Sequence, residues 1–304
     1  MEIVFGDLSL GIVKDDVRLI LSYNHGSLES FSKDGLEYLQ RAVRPAFWRA
    51  TSDNDRGNGF SKRSCLWMGA DLFHTVDSFW ADIDGVHLER ADLIAPANNS
   101  LLDSPLRQAK EACLTFRLLT ATDPCATLLV TWRAKEGEEG LSCHFRYEGV
   151  EGLPELPVCG LRLLLPFTVD RFEWDGLSGE VYPDRIWGAK EGHWVHEGIE
   201  ECPYVKCQDY GMHMGVRRLE ITAGGRRLGI AAPSSPISFS LLPATPQELE
   251  MAWHPIDLPL YRRSVLTLAA AVRGVGGIDS WGSDVGKAFH IPSDGVYEMD
   301  FTMI

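Results

Sequence analysis

No apolar run in this sequence approaches the roughly 18 residues that a membrane-spanning helix needs. Basic residues are also in short supply: 29 Lys and Arg face 43 Asp and Glu, a formal charge of −14. A surface for nucleic acid or an anionic membrane needs clustered cations, so both classes of partner are excluded. Cysteine is sparse and unpaired in pattern, with seven residues and no C-x-x-C spacing. An odd, scattered set is expected of reduced thiols rather than of a disulfide framework. The start, Met1 to Asp7, lacks the basic and apolar regions of a secretory signal, and a cytoplasmic chain is expected. Also missing are G-x-S-x-G, a P-loop and a dinucleotide fingerprint. Repeats, low-complexity tracts and clean linkers are absent as well.

What the chain does have is strands. Hydrophobic residues make up 45% of the 304 positions, enough for a sizeable core. Short runs such as 112–118, 127–132, 141–147 and 160–165 recur every ten to fifteen residues. Asp34-Gly35, Asp123-Pro124, Glu136-Gly137 and Gly224-Gly225 punctuate them as turns. Helical periodicity is confined to Ser61–Leu72 and to the segment from Thr245 to about Trp253, where Thr245-Pro246-Gln247-Glu248 has the form of a capping box. This pattern predicts an all-β fold, a large antiparallel sandwich or barrel in one domain over residues 1–304. Residues 176–215 break it, being rich in Gly, Trp, His and Tyr and expected to be irregular and functional.

The densest chemistry lies at 44–60: Arg44, Trp48, Arg49, Asp53, Asp55, Arg56 and then Gly57-Asn58-Gly59-Phe60. Buried polar groups are costly unless paired, so such a run builds a polar network or lines a site. Asp53 and Asp55 would share a face if extended and could be the two carboxylates of a glycosidase, which stand about 5 to 9.5 Å apart with one pKa raised. The plainer reading is that both accept hydrogen bonds from backbone and from Arg49 or Arg56, which depresses their pKa and makes them poor acids. A calcium loop fails because Gly57, Asn58 and Ser64 stand where ligands and the invariant Gly belong. His193, His196, Cys202 and Cys207 crowd one segment, but their order and spacing match no common zinc site, and no metal is expected in this chain. Trp281, on a glycine-flanked turn, is a candidate platform for a sugar ring.

The run Arg44-Pro-Ala-Phe-Trp-Arg-Ala-Thr-Ser-Asp-Asn-Asp-Arg-Gly57 is similar to the RPxFWRAxxDNDxG motif that opens the last domain of bacterial family 2 β-galactosidases. Gly176 to Arg185 resembles the GxGPxExYPDR segment of the same domain through Tyr182, Asp184 and Arg185, with Ser178 and Val181 departing from it. Gly276 to Gly282 resembles its GGDDSW turn. Three ordered motifs across nearly the whole chain resemble the small subunit of the heterodimeric members of that family.

The resemblance implies a galactose mutarotase-like β-supersandwich with few helices. It implies a large subunit as partner, carrying the acid/base and nucleophile glutamates and the magnesium ligands, with a galactoside bound at a shared site. Trp281 is then expected to stack on the aglycone, and Gly57, Asn58, Gly59 and Phe60 to belong to a mobile loop. Arg44, Trp48, Arg49, Asp53, Asp55, Tyr182, Asp184 and Arg185 are expected to be structural, and the isolated chain to be inactive. A rival is a free-standing mutarotase-like epimerase or carbohydrate-binding module. An epimerase needs a His acid and a Glu base in one cleft, and no motif nominates His25, His144, His213 or His254.

Overall fold

In the long strands the side-chain pattern and the burial agree residue by residue. In Thr127–Lys135, Leu128, Val130, Trp132 and Ala134 are buried while their neighbours are not, and Leu141–Glu148 alternates in the same way. That period of two belongs to a sheet with one face on a core and the other in solvent. Val158–Leu165 and Ile237–Leu242 are instead buried at every position, as strands covered on both faces must be.

The computed structural model describes residues 1–279 and 281–304. Every strand pairing among them is antiparallel. A first sheet is a five-stranded meander from Glu2–Phe5 to Leu36–Glu37. A ten-stranded sheet runs in the order Glu191–Glu197, Arg171–Leu177, Arg218–Ala223, Arg226–Ala231, Val296–Met303, Leu141–Glu148, Thr127–Lys135, Glu111–Thr120, His74–Ile83 and Val86–Glu89. A third sheet holds Met212–Val216, Ile237–Leu242, Ser264–Val272, Val158–Leu165 and Arg44–Ala46. One buried apolar cluster contains residues of all three sheets, including Leu21, Phe31, Phe116, Trp132, Leu163, Phe239 and Leu266. The expected all-β supersandwich is the observed architecture, and the predicted strands at 112–118, 127–132, 141–147 and 160–165 all lie within observed ones.

The third sheet positions the neighbourhood of the sequence motifs by simple alternation. Leu161, Leu163, Phe239, Leu241, Leu266 and Leu268 point into the shared core. Arg162, Ser240, Leu242 and Thr267 lie on the opposite face, which irregular segments and short helices cover. Three of those helices follow the Arg44 strand: α1 (Asp53–Asn58), α2 (Phe60–Arg63) and α3 (Leu66–Leu72). The single helix expected over 61–72 is therefore two pieces, parted at Ser64-Cys65, where the Ser64 hydroxyl donates to the Glu155 carbonyl (2.9 Å). The helix expected after Thr245 is present as Pro246–Met251, with both halves of its capping box formed.

The segment 176–215 is less irregular than its composition suggests. Glu191–Glu197 pairs along Arg171–Leu177, and Met212–Val216 joins the third sheet. Glu191–Glu197 is an edge strand with little buried side chain, so its apolar residues leave no clear period-two trace. The true irregular stretches are 178–190 and 198–211, apart from a turn of 3-10 helix at Pro183–Arg185.

Candidate functional site

The motif at 44–60 begins as backbone held by charge. The Asp71 carboxylate accepts from the amides of Phe47 (2.8 Å) and Trp48 (3.0 Å), and Arg162 donates to the Trp48 carbonyl (2.7 Å) and to Asp71 itself. Both charges are buried, as is the Trp48 ring. Ser52 then caps α1: its hydroxyl accepts from the Asp55 amide (3.2 Å), and the Asp55 carboxylate accepts from the Ser52 amide (2.9 Å).

That cap turns Asp55 inward. Arg49 donates to it twice, at 2.7 and 3.3 Å, and Arg273 once, at 3.3 Å. The Asp55 carboxylate is thus fully engaged as an acceptor inside the fold. Asp53 points the other way into solvent and pairs with Arg56 at 2.9 Å. The extended geometry that would have aligned the two acids is replaced by a helical N-terminus, so they do not converge. Arg44 also stands apart, half-buried on its strand and reaching only the Leu72 carbonyl at 3.5 Å.

Around Asp55 the network widens. Arg49 Nε lies 3.9 Å from Asp209, whose carboxylate accepts the Tyr182 hydroxyl at 2.7 Å. Burial works against the Arg49 charge, but Asp55 and Asp209 outweigh it and hold the guanidinium above its usual range. Burial pushes Asp209 up to about 6 even though Arg49 opposes the shift. Arg273, fully buried, bonds Glu155 (3.0 Å), Asp284 and Asp55, with its guanidinium 3.9 Å from the centre of the Phe60 ring. Burial lifts the Asp284 carboxyl, but the Arg273 guanidinium and the Val285 amide outweigh it and lower the pKa overall.

These charges fix a turn. Asp184 accepts from the amides of Val275 (3.0 Å) and Gly276 (2.7 Å), Arg185 donates to the Gly276 carbonyl, and Asn54 donates to the Val275 carbonyl (3.0 Å). At Gly277, with φ +81°, a Cβ would come within 2.6 Å of Arg185 and 2.7 Å of Asn54. At Gly282, with φ +87°, a Cβ would meet the Gly57 carbonyl oxygen at 2.9 Å. All three sequence motifs therefore meet at residues 274–284.

The segment expected as a loop is ordered into helix ends. Gly57 and Asn58 close α1, Gly59 is its left-handed C-cap, and Phe60 starts α2 with its ring buried under Arg273. Asn58 donates to Asp284 at 3.2 Å, tying the segment to the turn. Trp281 stands on this turn with 92% of its surface exposed, and its amide donates to the Asp279 carboxylate (2.9 Å), which also accepts from the Ser283 amide (3.1 Å).

The four residues weighed for zinc do not gather among the described residues. His193 pairs with Asp175 (2.8 Å), His196 stacks on Phe172 with centroids 5.0 Å apart, and Cys207 is buried. The group of described residues close enough to share an ion is Glu155, Asp284 and His290. There the Arg273 guanidinium bonds both carboxylates and Arg63 flanks them, so arginine already supplies the positive charge. His213, which pairs with Glu200 at 3.3 Å, is sealed beneath Trp174 and Phe239. A sugar has no access to it, which disfavours an epimerase built on that pair.

Sequence reasoning missed Asp71, Arg162, Asp209 and Arg273. Two of them left a signal: Arg162 interrupts Leu161-Arg162-Leu163 and Arg273 ends an apolar strand, and a charge inside such a run requires a buried partner.

Comparison with known proteins follows the same motifs. A family model described as "Beta galactosidase small chain" matches residues 13–303. A "Beta-galactosidase small subunit" of Latilactobacillus sakei is 40% identical over 302 residues, covering 96% of this chain and 93% of that protein. A "Beta-galactosidase" of Halalkalibacterium halodurans is 30% identical over 308 residues, covering 99% of this chain but 28% of that protein. The chain thus spans nearly the whole of one relative and about a quarter of the other. Among solved structures, a putative aldose 1-epimerase from Escherichia coli K12 aligns over 97% of this chain and 98% of that one, with a TM-score of 0.44 and 12% identity.

Proposed function

Because this chain belongs to the β-galactosidase small-chain family, we propose that it is the small subunit of a two-chain retaining β-galactosidase acting on lactose and related β-galactosides. It completes the aglycone side of an active site whose catalytic glutamates and magnesium ligands lie on a large chain. The observation that carries this reading is the turn at 274–284. Two buried arginines and the Asp184 carboxylate hold it in place, while Asp55, Glu155 and Asp284 beside it are already committed to arginine. A scaffold of this kind supports binding to the sugar rather than bond breaking.

In this reading Trp281 stacks on the glucose or acceptor sugar, and Gly57 to Phe60 move against it as the intermediate forms. The chain acts in the cytoplasm as a single β-supersandwich domain. No helix among the described residues is long and apolar enough to cross a membrane.

The test is hydrolysis of a nitrophenyl galactoside by this chain, by the large chain and by their mixture; only the mixture should be active. Activity of the isolated chain, or mutarotase activity in it, would overturn the proposal. Trp281→Ala should then weaken glucose as an acceptor and lower transgalactosylation several-fold, with hydrolysis less affected. Unchanged acceptor kinetics would remove the stacking role.

A further inference from the structure

Beside the motif face lies a surface that a soluble chain would not leave bare. Val205, Met251, Trp253, Ile256 and Leu260 are large and apolar, with Ile256 91% and Leu260 81% exposed. They come from two chain segments, 202–207 and 249–260, joined from below by a buried cluster of Cys207, Tyr210, Leu249, Ala252 and Leu258. From above, the Lys206 ammonium sits 4.5 Å from the centre of the Trp253 ring. Scattered exposed apolar residues are ordinary, but several on adjoining segments mark an interaction surface.

The surface is continuous with the site. Arg56 of α1 donates to the Cys207 carbonyl (3.3 Å), Gln208 accepts from the Asp53 amide (3.0 Å), and Glu250 accepts from both the amide and hydroxyl of Thr51 (2.6 Å each). A partner resting on Trp253 and Ile256 therefore also abuts the helix that ends at Gly57 and the turn it supports.

Relative lengths name the occupant. This chain spans 93% of the separate small subunit but 28%, 27% and 26% of three single-chain β-galactosidases, so about three quarters of those proteins lies outside the homologous region. In a single chain, a tether keeps that remainder at hand. In two chains the contact must hold unaided, which calls for an apolar core in the interface.

We infer that Val205, Met251, Trp253, Ile256 and Leu260 form the principal contact of this chain with the large catalytic chain. The inference rests on the proposed function and adds the surface by which it is carried out. Trp253 and Ile256 are the anchors, since a few large central side chains dominate most interfaces.

The experiment compares wild type, Ile256→Asp, Trp253→Asp and, as a control on the first sheet, Leu8→Asp. Circular dichroism and thermal melts check that each is folded. Sedimentation velocity then measures binding to the large chain, and activity is titrated against added small chain. Ile256→Asp and Trp253→Asp should weaken binding at least about ten-fold, with activity recovered at excess small chain; Leu8→Asp should match wild type. If wild type binds and activates the large chain but Ile256→Asp and Trp253→Asp do so equally well, the surface assignment fails alone. If wild type neither binds nor activates it, the proposed function fails first. If the two substitutions instead dissolve a homodimer of this chain without weakening the large-chain contact, the surface belongs to self-association and the inference is overturned.

Discussion

Arginine–carboxylate pairs are used in two opposite ways on the two sides of this molecule. Across the solvent face of the ten-stranded sheet, Arg117–Asp77, Arg133–Glu111 and Arg146–Glu148 lie between neighbouring strands or along one strand, all substantially exposed. Around the turn at 274–284, Arg49 and Arg273 share Asp55 with almost no access to water. Exposed pairs are screened and contribute little. Buried ones pay for desolvation with geometry, and removing one partner strands the other. The difference teaches that the second set is there to specify a shape, whereas the first keeps a broad sheet face wet and unattractive to other strands.

Breaking the buried set should have the largest effect. Asp55→Asn keeps the size of the side chain but leaves Arg49 and Arg273 facing each other in a buried space. The expected loss is about 3–5 kcal/mol in urea or thermal unfolding; a loss below about 1 kcal/mol would show that water reaches the network.

Asp209 sharpens the comparison through pH. Its carboxyl is raised from 3.8 to about 6 by burial, against the pull of Arg49. The folded state therefore holds this proton more tightly than the unfolded chain. Below about pH 4 both states are protonated and stability is unaffected. As pH rises toward about 6, folding loses stability, and the loss is complete above that. Asp209→Asn keeps an acceptor for Tyr182 and abolishes this slope. Its stability relative to the parent should rise between about pH 4 and 6 by as much as about 3 kcal/mol. A parallel pair of pH–stability curves would refute the buried, perturbed carboxyl.

Gly277→Ala tests the turn itself. The left-handed backbone and the close approach of Arg185 and Asn54 should together make it about 1–2 kcal/mol less stable, readable as a lower Tm. A neutral outcome would mean the turn adjusts freely. On the other side, Arg117→Ala should change stability by no more than about 0.5 kcal/mol; a larger loss would erase the distinction between the two faces.

The strands were legible because each is a local pattern. Leu128, Val130, Trp132 and Ala134 announce their spacing within nine residues, and Thr245 to Glu248 spell out a helix start. The site was legible only as motifs. The Asp55–Arg273 contact spans 218 positions, and no local rule says which carboxylate a distant arginine meets. α1 was hidden for a different reason: Gly57, Asn58 and Gly59 have poor helix propensity, and only the cap by Ser52 and the buried charge of Asp55 hold six residues helical. Glu191–Glu197 was hidden because an exposed edge strand need not alternate.

At 275 and 276 the turn is gripped by its main chain, through Asp184, Arg185 and Asn54, whereas from 279 to 284 the Asp279 and Asp284 side chains do the holding. Val275 also packs on the cluster of Val158, Tyr182 and Met212, while Ile278 and Trp281 point into solvent. The exposed positions are thus distinct from the carboxylates that hold the turn, so Ile278 and Trp281 can vary without refolding the support. Under the proposed function, positions 278 and 281 are where evolution, or a protein engineer, would retune acceptor preference on an unaltered frame.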